Sequence, residues 1–415
     1  MSSTPKTDVP IDLQDERLIS REGAKGALAS VITKVRNGDV GALPVIAGLV
    51  IIWAVFQTLN PFFLSSANLV NLAIECAAVG TISIGVVLVL LVAEIDLSVG
   101  SMSGLASAVL GVGLTQMHWS IPVTIAAAIL AGAIVGFAYG FIYVRFSVPS
   151  FVITLAGLLA LLGLQLRVLG TNGSINIPFD AWIVRFNQQM FLPPVLSYLL
   201  GVIAAAAFLG SAVARNRRRV GAGLSPSSYT MVLFNTVALL TGLELFFWYM
   251  NRARGIGLPF VLFVALVIIF NFALNRTHWG RAVYAVGGSV EGARRAGINV
   301  ARVYISVFVL CATLATVGGL LSAGRLAAAT TSSGTGDINL NAIAAAVIGG
   351  TSLFGGRGSA YSALLGILVI ASIDSGLTLL SLDSSIRFII TGAVLMVAVI
   401  VDSLSHRARV AHGRA

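Results

Sequence analysis

Charged residues are scarce in this chain of 415 residues. Only 10% of its residues are charged, 57% are hydrophobic and the mean hydropathy is +0.95, whereas about a quarter of the residues in an ordinary soluble domain are charged. A water-exposed surface cannot be built from that composition, so soluble enzymes and soluble binding proteins are excluded. The alternating ten-residue segments of a membrane β-barrel are also missing. The composition therefore predicts an all-α polytopic membrane protein.

Cysteine, histidine and lysine are also rare. The two cysteines, Cys76 and Cys311, fall inside apolar runs and give no disulfide framework. The four histidines are scattered without the spacing of a metal site or an acid-base cluster, so a membrane-embedded enzyme is not favoured. The three lysines, Lys6, Lys25 and Lys34, lie outside any phosphate-binding Gly-x-x-x-x-Gly-Lys-Ser/Thr sequence. We therefore expect no cofactor on this chain, and any ATP and Mg²⁺ must be used by a partner polypeptide.

The apolar residues are grouped into runs of membrane-spanning length. The polar segment 1–42 has no signal-peptide pattern and is predicted to be a cytoplasmic tail, followed by a transmembrane domain over 43–404 and a second cytoplasmic tail over 405–415. About twelve helices are predicted within the domain. They lie near 43–60, 67–93, 97–117, 120–144, 150–169, 193–214, 228–249, 258–275, 303–323, 339–354, 359–380 and 384–404.

The distribution of basic residues predicts the orientation. The net charge of +10 is dispersed over short loops, which does not favour a nucleic-acid surface. With both termini in the cytoplasm, all but six of the 26 Lys and Arg residues lie inside, as the positive-inside rule requires. Residues 215–219, with four arginines, are predicted to form a solvated inner loop that serves topology and anionic lipid contact. The six outer residues are Arg167, Arg185, Arg252, Arg254, Arg325 and Arg387.

The chain also shows a weak internal repeat. Residues 96–101 and 352–359 are both short inner turns between long apolar runs. Paired interrupted segments are typical of transporters built from structural repeats, although turn chemistry alone can produce the same likeness. The glycine pairs Gly318-Gly319 and Gly349-Gly350 are predicted to allow close helix packing.

The predicted cytoplasmic loop 276–302 is the largest and contains a candidate docking element. Gly287-Gly288-Ser289 can end one helix and begin another, with Ser289 as the N-cap of a short helix that follows. A short helix with small side chains can fit a groove on another protein. A helical inner loop with no partner is the simpler alternative.

The sequence of this loop resembles the coupling loop of ABC importer membrane subunits. Glu291-Gly292-Ala293, followed three residues later by Gly297, resembles their Glu-Ala-Ala motif and its glycine, with Gly292 in place of the first alanine. The resemblance to the ribose, xylose and galactoside branch extends to IDLSVGS at 95–101, VPSFVITL at 148–155, TNG at 171–173, and NAIAA and GGTSLFGG within 341–356. The coupling residues that it implies are Arg281, Tyr284, Gly287, Gly288, Glu291, Ala293 and Gly297.

The resemblance implies import of a monosaccharide across the bacterial cytoplasmic (inner) membrane. It implies a homodimeric permease, a cytoplasmic ATPase subunit, an extracytoplasmic sugar-binding protein, and no enzymatic activity on this chain. Family members usually have a ten-helix core, and this chain adds a helix pair that includes 215–257. An insertion at that place is similar to the D-xylose permeases, so D-xylose is the expected sugar and ribose the alternative.

Polar residues inside apolar runs are costly and are therefore candidates for the translocation pathway. Asp96 is interpreted first as a cap of the following helix and second as a sugar contact. The asparagines can equally serve as caps, and the acids can be neutral or hydrogen-bonded. The candidates are Asn71, Glu75, Glu94, Asp96, Phe151, Asn172, Asn341 and Asp374.

A different class of transporter fits the same pattern of spans. An ion-gradient-driven secondary sugar transporter could use Glu75 or Asp374 as a proton or sodium relay. The two hypotheses differ in the energy source, because only the ABC importer requires ATP.

Overall fold

The structure, a computed structural model, describes residues 43–224 and 228–411. The predicted tail 1–42 and residues 412–415 of the second tail lie outside the described residues, as do residues 225–227. Nearly all of the described chain is helical, which confirms the predicted all-α membrane fold.

The helices follow the predicted apolar runs closely. Loop 276–302 contains two helices. Two further elements, a small two-stranded sheet and a short helix after residue 181, were not predicted. The elements are α1 (Leu43–Leu59), α2 (Ser66–Leu91), α3 (Val99–Thr115), α4 (Ile121–Phe146), α5 (Ser150–Leu169), β1 (Ser174–Asn176), α6 (Trp182–Gln188), α7 (Pro194–Gly221), α8 (Tyr229–Asn251), α9 (Leu258–Arg276), α10 (His278–Gly288), α11 (Val290–Arg295), α12 (Val300–Leu326), β2 (Ala328–Thr330), α13 (Ile338–Ile348), α14 (Ala360–Leu379) and α15 (Ser384–Ala411).

Eight helices of the described part are long and apolar enough to cross a bilayer, namely α2, α4, α5, α7, α8, α9, α12 and α14. Three shorter apolar helices, α1, α3 and α13, have 17, 17 and 11 residues. The chain is thus a multi-pass membrane protein. The number of twelve spans and the cytoplasmic position of the termini stay predictions.

Helices α7 and α8 form a unit of their own, Leu192–Gly255. Glu244 of α8 packs against Gly201 of α7, and Asn251 Nδ2 donates to Ser197 Oγ over 3.0 Å. The prediction of a loop at 215–219 was wrong, because these residues continue α7 to Gly221. Arginine is a good helix former, so the apolar helix extends into its basic end. That this unit is an insertion into a ten-helix core stays a prediction.

The other unit is organised around α2, which is almost completely buried, and α12, which runs antiparallel to it. Three contacts fix this pairing along its length. Glu75 meets Arg325, Gly318 lies against Ala78 and Ile82, and a Cβ at Gly85 would lie 3.0 Å from the Cys311 carbonyl oxygen. Small residues allow helices to approach closely inside a membrane.

The predicted packing role of the glycine pairs is confirmed at three of the four positions. A Cβ at Gly318 would collide with Ile82, and one at Gly319 would collide with the backbone of Ser103 in α3. Gly349 lies against the Ser362 backbone of α14 in the same way. Gly350 instead has a φ of +100° and open space around it, so it makes a turn that a side chain would strain.

Two short helices begin inside the bundle. After α2 the segment 92–98 turns back, so that Asp96 comes near Cys311, and α3 begins beside the middle of α12. After α12 the segment 327–337 turns back similarly and α13 begins. These interrupted spans are shorter than the predicted 97–117 and 339–354.

The packing shows an inverted repeat. Helix α12 packs on α3 and α4, and its antiparallel partner α2 packs on α13 and α14 in the same order. The counterpart of segment 92–98 is therefore 327–337. The predicted pairing of 96–101 with 352–359 was wrong, because similar turn residues were compared instead of equivalent positions after the two central helices.

The small sheet closes one end of this unit. Strands β1 and β2 pair antiparallel, with Ser174 opposite Thr330. Gln188 Nε2 at the end of α6 donates to the Arg325 carbonyl oxygen over 2.7 Å. We call this the Arg325 end, and the opposite end, where α10 and the end of α2 meet, the α10 end.

We predict that Gly319→Leu destabilises the protein. The new side chain collides with the Ser103 backbone, and overpacking of this kind costs about 1–3 kcal/mol. The measurement is thermal unfolding of the detergent-solubilised protein, with an expected fall of about 5 °C or a loss of monodisperse material. The matched control is Gly163→Leu in α5, where a Cβ meets open space. Equal melting temperatures for the two variants would contradict the packing shown here.

Candidate coupling and translocation sites

Local hydrogen bonds define the two helices of loop 276–302. The Thr277 and Ser289 side chains accept from Gly280 N over 3.1 Å and from Gly292 N over 3.0 Å, so each caps a helix. The prediction that Ser289 is an N-cap is confirmed. Gly297, with a φ of +78°, ends α11, and the next residue, Ile298, donates its N–H to the Ala293 carbonyl oxygen over 3.0 Å. The glycine of the motif is thus a helix stop.

One set of the predicted coupling residues faces outward. Glu291 and Gly297 are exposed on and after α11, and Arg281 and Gly288 are exposed on α10. Glu291 forms an ion pair with Arg295 at 3.4 Å, but both side chains are well exposed, at 64% and 80%. Such a pair contributes little to stability. Its carboxylate is therefore accessible to a second protein.

A second set of the predicted coupling residues faces inward. Ala293 is 3% exposed and holds α11 against the bundle. Tyr284 donates its hydroxyl hydrogen to the Gly358 carbonyl oxygen over 2.8 Å, and burial raises the pKa of this phenol. Gly287 lies directly against the Leu91 carbonyl oxygen, which also accepts from Gly356 N over 2.9 Å. These residues fasten α10 to the end of α2.

An open groove of about 650 Å³ adjoins α11 at the α10 end. Two of the predicted pathway residues, Glu94 and Phe151, line it together with Arg294 of α11. Glu94 accepts from the Tyr143 hydroxyl over 2.5 Å, and the Tyr143 and Tyr304 rings are 4.6 Å apart. Sequence reasoning missed both tyrosines, because apolar helices commonly contain aromatic residues.

Asp96, which follows the groove-lining Ile95, is 2% exposed. Its Oδ1 accepts from the Ser98 backbone N–H over 2.8 Å and from the Ser98 hydroxyl over 2.7 Å. The carboxylate thus fixes the residue before α3 and makes no bond to the first turn, which differs from the predicted helix cap. Its Oδ2 has no hydrogen-bond partner among the described residues.

The two interrupted helices meet near Asp96. Asn339 Nδ2 of α13 donates to the Leu97 carbonyl oxygen over 2.8 Å, and Gly100 of α3 packs against Gly334. Gln165 of α5, which is fully buried, donates to the Thr330 and Ser333 carbonyl oxygens over 3.0 and 2.9 Å. Gln165 was not predicted, although a glutamine within an apolar run is a usable signal.

A cavity of about 240 Å³ lies at the Arg325 end. It brings together three predicted pathway residues, Glu75, Asn341 and Asp374, from α2, α13 and α14. Arg325, Asp337 and Thr378, which were not predicted, also belong to its polar lining. The sequence indicated Arg325 only as one of the six outer basic residues. Asp337 lies just before the predicted span 339–354 and was not considered as a lining residue.

The remaining pathway candidates lie elsewhere. Asn71 is exposed on α2, one turn before Glu75, and does not line the cavity. Asn172 ends a short 3-10 turn at Gly170–Asn172, and its side chain lies outside the described part of the structure. The predicted set is thus divided between the two ends of the bundle, with Asp96 between them.

Comparison with known proteins finds a matching family and several similar sequences. The family described as the branched-chain amino acid transport system / permease component matches residues 68–399. The xylose transport system permease protein XylH of Escherichia coli K12 is 36% identical over 364 residues, covering 87% of this chain and 91% of that protein. XylH of Haemophilus influenzae is 33% identical over 375 residues, with coverage of 89% and 98%.

The ribose import permease protein RbsC of E. coli K12 is also similar, at 30% identity over 356 residues, with coverage of 86% and 91%. No solved structure gives a significant match. The relatives are named as transport permeases, and the predicted resemblance to ABC sugar permeases is confirmed. The chain belongs to the branched-chain amino acid transport system / permease component family, among its ABC sugar permeases.

Proposed function

We propose that this chain is the membrane subunit of an ATP-driven D-xylose importer. It lies in the bacterial cytoplasmic membrane as a homodimer, with a cytoplasmic ATPase subunit and an extracytoplasmic sugar-binding protein. The support for the sugar is that two relatives named as xylose permeases match most of the chain at 36% and 33% identity. Ribose is the alternative, supported by a permease at 30% identity.

The observation that carries the proposal is the series of contacts from α11 through α10 to the end of α2. An ATPase subunit that binds the exposed Glu291 face moves α11 and α10 together. Gly287 passes this movement to the Leu91 backbone, because no side chain lies between them to absorb it. The end of α2 continues into segment 92–98 and the start of α3, so the movement reaches the break between the two interrupted helices.

The groove at the α10 end and the cavity at the Arg325 end are suited to alternating access. Glu75 and Leu91 are about 24 Å apart along α2 at 1.5 Å per residue. The break at 92–98 and 327–337 lies between the two openings, where Asn339 at the start of α13 donates to the Leu97 carbonyl oxygen. Interrupted helices in corresponding repeats commonly mark the substrate path of transporters. With the α10 end in the cytoplasm, as the charge count predicts, the Arg325 end faces the binding protein.

The ion-gradient alternative is less well supported. Arg325 Nη2 lies 2.5 Å from Glu75 Oε1, so the carboxylate that a proton or sodium relay would use already has an ion-pair partner within this chain. Uptake that survives ATP depletion and stops when the ion gradient is collapsed would support the secondary transporter instead.

We predict that D-xylose-loaded binding protein stimulates ATP hydrolysis when this chain is reconstituted with the ATPase and binding proteins of a bacterial xylose importer. Glu291→Ala should reduce the stimulation at least about tenfold, a loss of roughly 1.4 kcal/mol. Asp180→Ala, which removes an exposed acid outside loop 276–302, is the control. Stimulation with ribose but not with xylose would identify ribose as the transported sugar. If the wild-type chain binds no ATPase, the importer proposal is wrong.

Gly287→Ala should uncouple transport from ATP hydrolysis. Its methyl group collides with the Leu91 carbonyl oxygen, so α10 must shift from the end of α2. We expect ATPase binding to persist while xylose uptake into proteoliposomes falls about tenfold. Gly163→Ala, at a helical glycine with open space around it, should retain wild-type uptake. Normal uptake by the Gly287 variant would exclude this contact as the coupling route.

A further inference from the structure

The cavity at the Arg325 end has a polar lining that the coupling mechanism does not use. Its carboxylates come from Glu75, Asp337 and Asp374, its guanidinium from Arg325 and its carboxamide from Asn341. They are contributed by α2, α12, α14, and α13 with the segment before it. Side chains from separate parts of the fold converge here, so the cavity is more than a local acidic cluster on one helix.

Contacts between these groups hold the lining in place. Arg325 Nη2 and Glu75 Oε1 are 2.5 Å apart, and the two side chains are 40% and 35% exposed, so the pair borders the opening. Asn341 is 8% exposed and donates Nδ2 to Asp337 Oδ2 over 3.4 Å. The lining thus has a deep carboxamide at one side and an ion pair at its edge.

The size and chemistry of the cavity select a class of ligand. Its volume of about 240 Å³ corresponds to about eight liquid water molecules at ~30 Å³ each, which is room for a monosaccharide, whereas a disaccharide would extend through the opening. Carboxylate, guanidinium and carboxamide groups supply both acceptors and donors for sugar hydroxyls. Val79, Ile338 and Ile370 add an apolar surface for the C–H face of a sugar ring.

The charge of the cavity lining further restricts the class of ligand. Three carboxylates and one guanidinium give an excess of negative charge when all are ionised. A partly enclosed site of this sign repels anions and admits neutral ligands. Sugar acids and sugar phosphates are therefore disfavoured relative to neutral sugars.

We propose that this cavity is a low-affinity acceptor site for one neutral monosaccharide, in which Arg325 and Asp337 contact the sugar hydroxyls beside Glu75, Asn341 and Asp374. The proposal rests on the proposed function for the direction of transport. The sugar enters here before the break at Asn339 and Leu97 opens. Weak binding is suited to a transport path, because the sugar must also leave.

The test is saturation-transfer NMR of D-xylose on the purified full-length chain in nanodiscs without partner proteins. The wild-type chain should transfer saturation to D-xylose, and not to sucrose or the anion xylonate. Asp337→Asn and Arg325→Lys should each reduce the xylose signal at least about threefold. The variants change a single group each, and size-exclusion chromatography checks that they remain monodisperse.

Asp180→Asn is the matched control and should retain the wild-type signal, because Asp180 is exposed and does not line the cavity. No transfer to xylose, equal transfer to xylonate, or unchanged binding by both cavity variants would overturn the proposal. The importer assay separates the two hypotheses. Xylose-stimulated ATP hydrolysis without xylose binding at this cavity would contradict only the proposed site. Xylose binding at this cavity without ATPase coupling would contradict only the importer proposal.

Discussion

The close antiparallel packing of α2 and α12 is the constraint on which the rest of the structure depends. Gly85 and Gly318 allow α2 and α12 to approach where a side chain would separate them. Inside a bilayer no hydrophobic effect drives helices together, so close van der Waals contact is the main source of their attraction. The interrupted helices α3 and α13 pack onto this central pair, and the two candidate openings lie at its opposite ends.

The inverted repeat explains why polar groups collect where they do. Non-helical backbone inside a bundle exposes polar groups that a continuous span would satisfy internally. Asn339 of α13 donates to the Leu97 carbonyl oxygen in segment 92–98, and Gln165 of α5 donates to the Thr330 carbonyl oxygen in segment 327–337. Polar residues in apolar runs therefore stabilise the interrupted segments, and they can also bind a ligand. Structural and transport roles thus fall in the same region.

The sequence predicts long helices well and interruptions poorly. Apolar runs of about twenty residues are a strong signal, because each follows from the thickness of the bilayer. The starts of α3 and α13 depend on contacts with α12 and with each other, which no local pattern reveals. The basic end of α7 was predicted as a loop since arginines are typical of both loops and helix ends. For the sites, the motif in loop 276–302 predicted the exposed surface of α11, whereas the meeting of Arg325 with Glu75, 250 residues apart, required the fold.

The contact of Gly287 with the Leu91 carbonyl oxygen has a thermodynamic consequence. If a protein bound at α11 changes the position of α2, then any ligand that prefers one position of α2 must change the affinity for that protein by the same factor. Sugar binding at one end of the bundle would thus change the affinity for a nucleotide-binding partner at the other end, and partner binding would change the affinity for the sugar by the same factor. The affinity of the permease for its partner would then depend on whether sugar is present on the opposite side of the membrane.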